Sequence, residues 1–287
     1  MFASAPADKW PTYHAFLRAL SPGPTLVSDT PDVATDQTII DKLTSKVKGG
    51  AVRVVKTDTA ATALPGRWFW DNLQGPADGP AMLAYVNIPA AHGSIIGAWN
   101  CRSATTESWA KDQLSLQDVE ESLEVDTLDG EHVLWSIGLG KRSDQYQLIG
   151  PGDRVDFNIQ LAKSECDGVI VAKVWQVGSK RLAVLGMLDK YAPLGRLKVD
   201  IEQCEYMTIS QDITDSLAEL VIRSPFEAGV TVLVLDDESS FKAVVDGQSV
   251  NLDRTLSEIP STHLLTVKPS SNQSGGKSGD FEIRLSA

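Results

Sequence analysis

A hydroxyl and a carboxylate stand together at Ser28 and Asp29, directly after the short apolar run of residues 25–27. The proline- and glycine-rich residues 22–24 interrupt a helical segment, so the predicted order is helix, breaker and strand. In barrels of alternating strands and helices, the chemistry lies at the carboxyl end of the strands, which is where Ser28 and Asp29 would be. The run comes too early in the chain for a barrel to be complete before it. We therefore expect the tail of a larger enzyme.

A second carboxylate, Asp32, follows Asp29 three residues later. Paired carboxylates about 5 Å apart suit a retaining glycosidase, and a wider gap suits an inverting one. Three residues apart in a turn, the two side chains could approach each other. Pro31 would hold them apart, however, and a capping role toward the next helix is an equally good interpretation. The spacing leaves both interpretations open.

An aromatic cluster at residues 68–70, Trp-Phe-Trp, is followed by Asp71 and Asn72. Aromatic faces can stack on sugar rings while neighbouring amide and acid groups reach the sugar hydroxyls. The alternative is that these rings fill a protein core or a domain interface. The sequence leaves this choice open as well.

Residues that could bind metals or form disulfides are few and scattered. The four histidines have no metal-ligand spacing, and the three cysteines include no Cys-x-x-Cys pair. Neither a zinc site nor a disulfide framework is indicated, and we expect buried free thiols in a reducing compartment.

The charge of the chain bears on its partners. Its 287 residues carry a formal net charge of −12, which would repel phosphates and argues against nucleic acid or an anionic membrane surface as a partner. No stretch approaches the roughly 18 apolar residues of a membrane helix, and residues 1–4 lack the features of a signal peptide. If Met1 is the true start, we expect a cytoplasmic protein.

The elements that position these residues change character along the chain. Apolar residues at helical spacing predict amphipathic helices over residues 9–21 and 36–46. Gly49 and Gly50 close the second helix, and beyond them the hydrophobic period becomes two. We place the domain boundary near Lys48, with residues 1–47 as the helical part and residues 48–287 as a β domain.

The β domain is predicted to contain many short strands at roughly ten-residue spacing, which indicates an antiparallel β-sandwich. Hairpin turns are predicted at residues 177–180 and at Asp246-Gly247, and a short acidic helix over residues 115–124. The predicted strands cover residues 81–88, 94–101, 132–139, 154–161, 168–176, 181–188, 195–201, 218–223, 230–235, 241–245, 262–268 and 281–285.

Three segments together resemble the raffinose synthase and seed-imbibition (alkaline α-galactosidase) group of glycoside hydrolase family 36. Residues 14–32 read HAFLRALSPGPTLVSDTPD, similar to the group's HxxxRAxSGGPxxVSDxPG. Residues 64–69 read LPGRWF, similar to PTRDxLF, and residues 93–101 read GSIIGAWNC, similar to GVxGVFNC. Met1 and Phe2 would then end the group's DWDMF motif. The match covers roughly residues 1–200.

The resemblance implies a (β/α)8 barrel followed by an antiparallel β-sandwich. Residues 1–47 would be a remnant of the barrel, its last helix–strand–helix unit. The family's nucleophile, in a Lys-x-Asp motif, and its acid/base aspartate would both precede Met1, so we expect the isolated chain to be inactive. Ser28 and Asp29 would lie at the rim of the sugar pocket as substrate-binding groups. No metal or organic cofactor is implied, and the partner would be an α-galactoside oligosaccharide.

Two hypotheses about function follow. The chain is the carboxy-terminal part of a raffinose-synthase-like α-galactosidase or galactosyltransferase, or it is a free-standing, non-catalytic β-sandwich with a carbohydrate-binding or interaction role. Under the first hypothesis, we expect few non-local contacts to hold the first ~45 residues, which would make them the least ordered part of the chain.

Overall fold

The structure is a computed structural model that describes residues 11–29, 34–65, 78–101, 108–140, 143–205, 216–235, 241–256, 262–269 and 280–286. The described chain is mainly β, as predicted, and its strand pairs are antiparallel except for β4 with β7. The helices are α1 (Pro11–Ala19), α2 (Gln37–Leu43) and α3 (Leu116–Leu123), with a single 3-10 turn at Pro89–Ala91. Within the described ranges, no helix has the length and apolar character needed to cross a bilayer.

The strands follow these helices in chain order. They are β1 (Thr44–Lys46), β2 (Val52–Val54), β3 (Thr62–Ala63), β4 (Asp78–Gly79), β5 (Met82–Ile88), β6 (Gly93–Trp99), β7 (Trp109–Leu114), β8 (His132–Ser136), β9 (Tyr146–Ile149), β10 (Phe157–Ala162), β11 (Cys166–Val177), β12 (Lys180–Gly186), β13 (Lys198–Glu205), β14 (Ser216–Ser224), β15 (Val230–Val234), β16 (Lys242–Val245), β17 (Gln248–Val250), β18 (Asp253–Leu256), β19 (His263–Val267) and β20 (Phe281–Ser286).

The helices form where the sequence predicts them, with local caps. Asp36 caps α2 by accepting a hydrogen bond from the Thr38 amide at 2.9 Å. At α3, Ser115 and Asp118 form a reciprocal capping box. The predicted second helix ends early, at Leu43, because Thr44–Lys46 pairs with Val52–Val54 as β1 and β2.

The long strand β11 connects the parts of the largest sheet. Its first half pairs with β6 on one side and β8 on the other, and its second half pairs with β12. The sheet has the order β18-β19-β15-β12-β11-β6-β5-β3, with β8 and β9 attached beside β11. The smaller sheets are β1-β2, β10-β7-β4 and β13-β14-β20-β16-β17.

Residues of β11 alternate between two hydrophobic cores, as the two-residue period of a strand requires. Val169 and Val171 belong to the core that the sheet shares with β7 and β10. Ile170 and Ala172 belong to a larger core that contains the buried face of α1 and residues of the β13-β14-β20-β16-β17 sheet. Because both faces are covered, the strand is a nearly continuous apolar run.

The residue 25–27 strand is not formed as predicted. Residues 24–26 have no regular secondary structure, Val27 forms only an isolated bridge, and Leu26 is 53% exposed. The side chain of Lys56 donates hydrogen bonds to the carbonyls of Pro22 and Gly23, at 2.6 and 3.0 Å, and holds this backbone as a loop.

The first helix and the loop after it have more long-range contacts than the sequence predicts for the first ~45 residues. Phe16 is fully buried, and the carbonyls of Ala19 and Leu20 accept hydrogen bonds from the amides of Thr57 and Ala61. The predicted boundary at Lys48 falls in the turn between β1 and β2, and the division into domains stays a prediction.

Candidate functional site

The predicted substrate-binding residues lie at the end of the loop that follows α1. Ser28 is exposed and Asp29 is half-buried. Asp32, the possible partner carboxylate, is outside the described residues, as are Met1, Phe2 and the aromatic cluster of residues 68–72.

A cavity of about 280 Å³ with both polar and apolar walls lies beside the 3-10 turn that joins β5 to β6. Its polar side chains come from four separate parts of the chain. They are Asn87 of β5, His92 after the turn, Asp129 and His132 at the start of β8, and Lys173 of β11. Its apolar wall consists of Pro89, Leu123, Val125 and Leu128.

Strand register brings these residues together. Lys173 is directly opposite His132 in the pairing of β11 with β8. On its other side, the Lys173 amide donates a hydrogen bond to the His92 carbonyl at 3.3 Å. Asn87 is fixed separately, because its Nδ2 donates to the Leu123 carbonyl at the end of α3 at 3.1 Å.

His132 is a buried imidazole with one satisfied nitrogen. Its Nδ1 lies 3.1 Å from the Gly130 carbonyl, which assigns the proton to Nδ1 because a carbonyl can only accept. Burial lowers the pKa of His132, and the Gly130 carbonyl and the Asp129 carboxylate oppose that shift. The neutral ring therefore presents Nε2 as an acceptor, 4.0 Å from Oδ1 of Asp129 and too far for a hydrogen bond.

Lys173 is held by contacts on both sides of its ammonium group. Its Nζ lies 2.5 Å from Oδ2 of Asp129 and 5.4 Å from the centre of the Trp175 ring. The hydrogen bond from Lys173 is the main cause of the lowered pKa of Asp129. The Trp175 ring in turn meets the His92 ring edge to face at 4.9 Å.

A second cavity, of about 380 Å³, adjoins the first at Asn87 and Pro89. Here Arg196 has a left-handed backbone conformation, with φ of +61°. Its Nε donates to Oδ1 of Asp58 at 2.8 Å, so the strained residue is fixed by an ion pair. A second pair joins Lys198 and Asp280 at 3.6 Å, which leaves the cationic groups of this cavity matched by carboxylates.

The described lining of the first cavity consists of hydrogen-bonding groups beside an apolar wall. It contains no serine, threonine or cysteine that could act as a nucleophile. Asp129 and His132 are too far apart for direct proton transfer, and Lys173 is engaged by Asp129. In the part of the chain that the structure covers, no three histidine, cysteine, aspartate or glutamate residues are grouped to hold a metal ion.

In the sequence, His92 and His132 have no metal-ligand spacing, and no local motif marks Lys173 or Asn87. Only the pairing of strands that are distant in sequence brings them together, and no local motif indicates it. Neither a comparison with models of known protein families nor a search of curated proteins finds a match for this chain.

Proposed function

We propose that this chain is the carboxy-terminal part of a raffinose-synthase-like α-galactosidase or galactosyltransferase, which acts on α-galactosides such as raffinose-family oligosaccharides. In this proposal, residues 1–47 are the last helix–strand–helix unit of a (β/α)8 barrel and residues 48–287 are its antiparallel β-sandwich. The described part of residues 1–47 holds α1 and α2, and the strands that follow are mainly antiparallel, which supports this arrangement. The strand of the barrel unit, residues 25–27, would form only beside the rest of the barrel.

The observation that carries the proposal is a contact between two of the segments that resemble the family. The Phe16 ring of the first segment lies 5.3 Å from the Trp99 ring of the third, centre to centre, and both side chains are fully buried. One residue before the first segment, the Tyr13 hydroxyl lies 2.9 Å from Sγ of Cys101. Two short matches that are distant in sequence therefore belong to one packed unit.

The proposal assigns Ser28 and Asp29 to hydrogen bonds with sugar hydroxyls at the rim of the substrate pocket. A retaining mechanism needs a nucleophile and an acid/base carboxylate, and in this family both would be supplied by residues before Met1. The 287 residues alone would then bind substrate groups without cleaving them. A cytoplasmic location is part of the proposal, because Cys166 is a buried free thiol, as is usual in a reducing compartment.

The test has two stages. The purified chain is first assayed with a chromogenic α-galactoside, and we expect no turnover. The reading frame upstream of the Met1 codon is then sequenced, and an Asp-Trp-Asp motif with Lys-x-Asp further back is the expected result. The extended protein should hydrolyse the same substrate, and Ser28→Ala or Asp29→Ala should raise its KM.

Asp126→Ala is the matched control, since Asp126 is an exposed carboxylate in a different loop. Turnover by the 287-residue chain that Asp29→Ala abolishes would overturn the inactivity of the chain. Stop codons directly before Met1, with a stable and monodisperse protein, would favour the free-standing β-sandwich instead.

A further inference from the structure

We propose that the cavity lined by Asn87, His132 and Lys173 binds one ring of a small, neutral, polyhydroxylated ligand of the monosaccharide class. This site is separate from Ser28 and Asp29, and the inference does not depend on the proposed enzyme function. It rests on the hydrogen-bonding groups, the charge balance, the size and the rigidity of the cavity.

The hydrogen-bonding groups of the cavity match a ligand that both donates and accepts. His132 presents Nε2 as an acceptor, because its Nδ1 proton is directed to Gly130. Asn87 uses its Nδ2 on Leu123, which leaves Oδ1 as a second acceptor. Lys173 has three N–H donors, of which Asp129 engages one. Adjacent sugar hydroxyls can satisfy both kinds of group at once, since each hydroxyl donates one hydrogen and accepts others.

The charge balance of the cavity favours a neutral ligand. Lys173 and Asp129 form an ion pair at 2.5 Å, so the described lining carries no unmatched charge when its two histidines are neutral. A phosphate group would meet the Asp129 carboxylate, and an amine would meet the Lys173 ammonium group. Neither charged group would find an unmatched counter-charge in the described lining.

The size and apolar wall of the cavity indicate a single ring. Its volume of about 280 Å³ is near the roughly 300 Å³ at which small-molecule pockets begin. Pro89, Leu123, Val125 and Leu128 provide an apolar wall against which the C–H groups of a sugar ring can lie.

The polar groups are already held in place before any ligand binds. The Gly130 carbonyl orients His132, and the Leu123 carbonyl orients Asn87. Lys173 lies between Asp129 and the Trp175 ring. Binding therefore orders few additional side chains, which removes part of the usual entropic cost of association.

Titration of the purified 287-residue chain with D-glucose, D-galactose and myo-inositol, followed by NMR, tests the proposal. Glucose 6-phosphate and glucosamine serve as charged probes of similar shape. At least one neutral probe should bind and should perturb the His132 imidazole nitrogen resonances, with Nε2 shifting more than Nδ1. Lys173→Met keeps the apolar stem but removes the donor, and should weaken binding by about tenfold or more, the loss of one charged hydrogen bond.

Lys111→Met is the control, because Lys111 is an exposed lysine of β7 that is not among the described residues lining the cavity. The Lys111→Met variant should bind the neutral probe with the same affinity as the wild-type chain. The proposal fails if no neutral probe binds the folded wild-type chain, or if a charged probe binds more tightly than every neutral one. It also fails if the His132 resonances do not move on binding, a measurement that needs no variant to fold.

Discussion

Replacing Phe16 by alanine tests whether α1 is an integral part of the β core. Phe16 is fully buried, and its ring centre lies 5.3 Å from that of Trp99 and 6.5 Å from that of Tyr191. Phe→Ala substitutions in protein cores cost about 3–5 kcal/mol, because transfer free energy is lost and a cavity remains. Against a total stability of roughly 5–15 kcal/mol, that is a large fraction.

The adjacent residue of the same helix provides the control. Leu17 is 37% exposed, and Leu17→Ala should change the free energy of unfolding by no more than about 0.5 kcal/mol. If α1 were only loosely attached, the two substitutions would have similar, small effects on the unfolding of the β core. Urea denaturation followed by tryptophan fluorescence measures the free energy of unfolding of both variants. The slope m of that free energy against urea concentration should not change.

Gly168 of β11 adds a second, independent check. A Cβ at this position would lie 2.8 Å from Cζ of Phe16 and 2.4 Å from Cδ1 of Ile137. Gly168→Ala should therefore destabilise the native state by about 1–3 kcal/mol, the usual cost of overpacking. In the Phe16→Ala background part of that clash disappears, so the double variant should be less destabilised than the sum of the single ones, by about 0.5 kcal/mol or more.

The single and double variants of Phe16 and Gly168 together can refute the packing of α1 on β11. Additive effects of Phe16→Ala and Gly168→Ala would mean that the ring does not lie over Gly168. A loss below about 1 kcal/mol for Phe16→Ala would mean that α1 leaves the core before the sheets unfold, as local opening of a weakly held segment allows.

Three further substitutions test other parts of the fold. Gly247→Ala should lower the stability of the chain by about 1–2 kcal/mol in thermal denaturation, because Gly247 has φ of +82° and an L-residue is strained there. The space around Gly247 is open, so no steric clash contributes. An unchanged Tm would refute the left-handed turn. Burial raises the pKa of Asp167, so its carboxyl favours folding at low pH and loses that contribution as pH rises above the ordinary value of 3.8. Asp167→Asn should therefore gain stability relative to the wild type between pH 4 and pH 7 in parallel urea titrations, and a difference that does not vary with pH would contradict the shift. The pKa of His132 is lowered in the folded chain, so as pH falls below the ordinary value of 6.5 the unfolded chain binds the proton more readily and the free energy of unfolding decreases. His132→Gln should make this decrease with pH smaller. An unchanged dependence of the free energy of unfolding on pH would show that His132 is not its source.

Local residue chemistry predicted some elements of the fold well. The Asp246-Gly247 dipeptide predicts a two-residue hairpin, and the structure has one there with φ of +49° and +82°. The turn between β11 and β12 is confirmed in the same way, with Gly178 in a left-handed conformation. The acidic helix predicted over residues 115–124 is confirmed by α3. Its capping box lies within four residues, so the local sequence is enough to indicate where the helix begins.

Strands with polar sequences were not predicted. Strand β7, Trp109–Leu114, has the charged pair Lys111 and Asp112 at its centre, and such residues have low strand propensity. It is a strand because six of its residues pair with β10 and because Ala110 and Leu114 are fully buried. The same dependence on distant partners explains why the cavity around His132 was missed, since its polar groups converge only through the register of β11.

The loop before Ser28 shows the converse case, in which an apolar run forms no strand beyond the isolated bridge of Val27. Residues 25–27 have the composition of a buried strand, yet Leu26 is 53% exposed and the carbonyls of Pro22 and Gly23 are hydrogen-bonded to Lys56. A strand exists only when a neighbour satisfies its backbone groups, so a short apolar run does not fix its own conformation. The Asp246-Gly247 turn needs no such neighbour, because its backbone angles are set by the two residues themselves. The conformation of residues 25–27 therefore depends on what lies beside them, and the proposed substrate-binding role of Ser28 and Asp29 would require neighbouring strands to pair with this run.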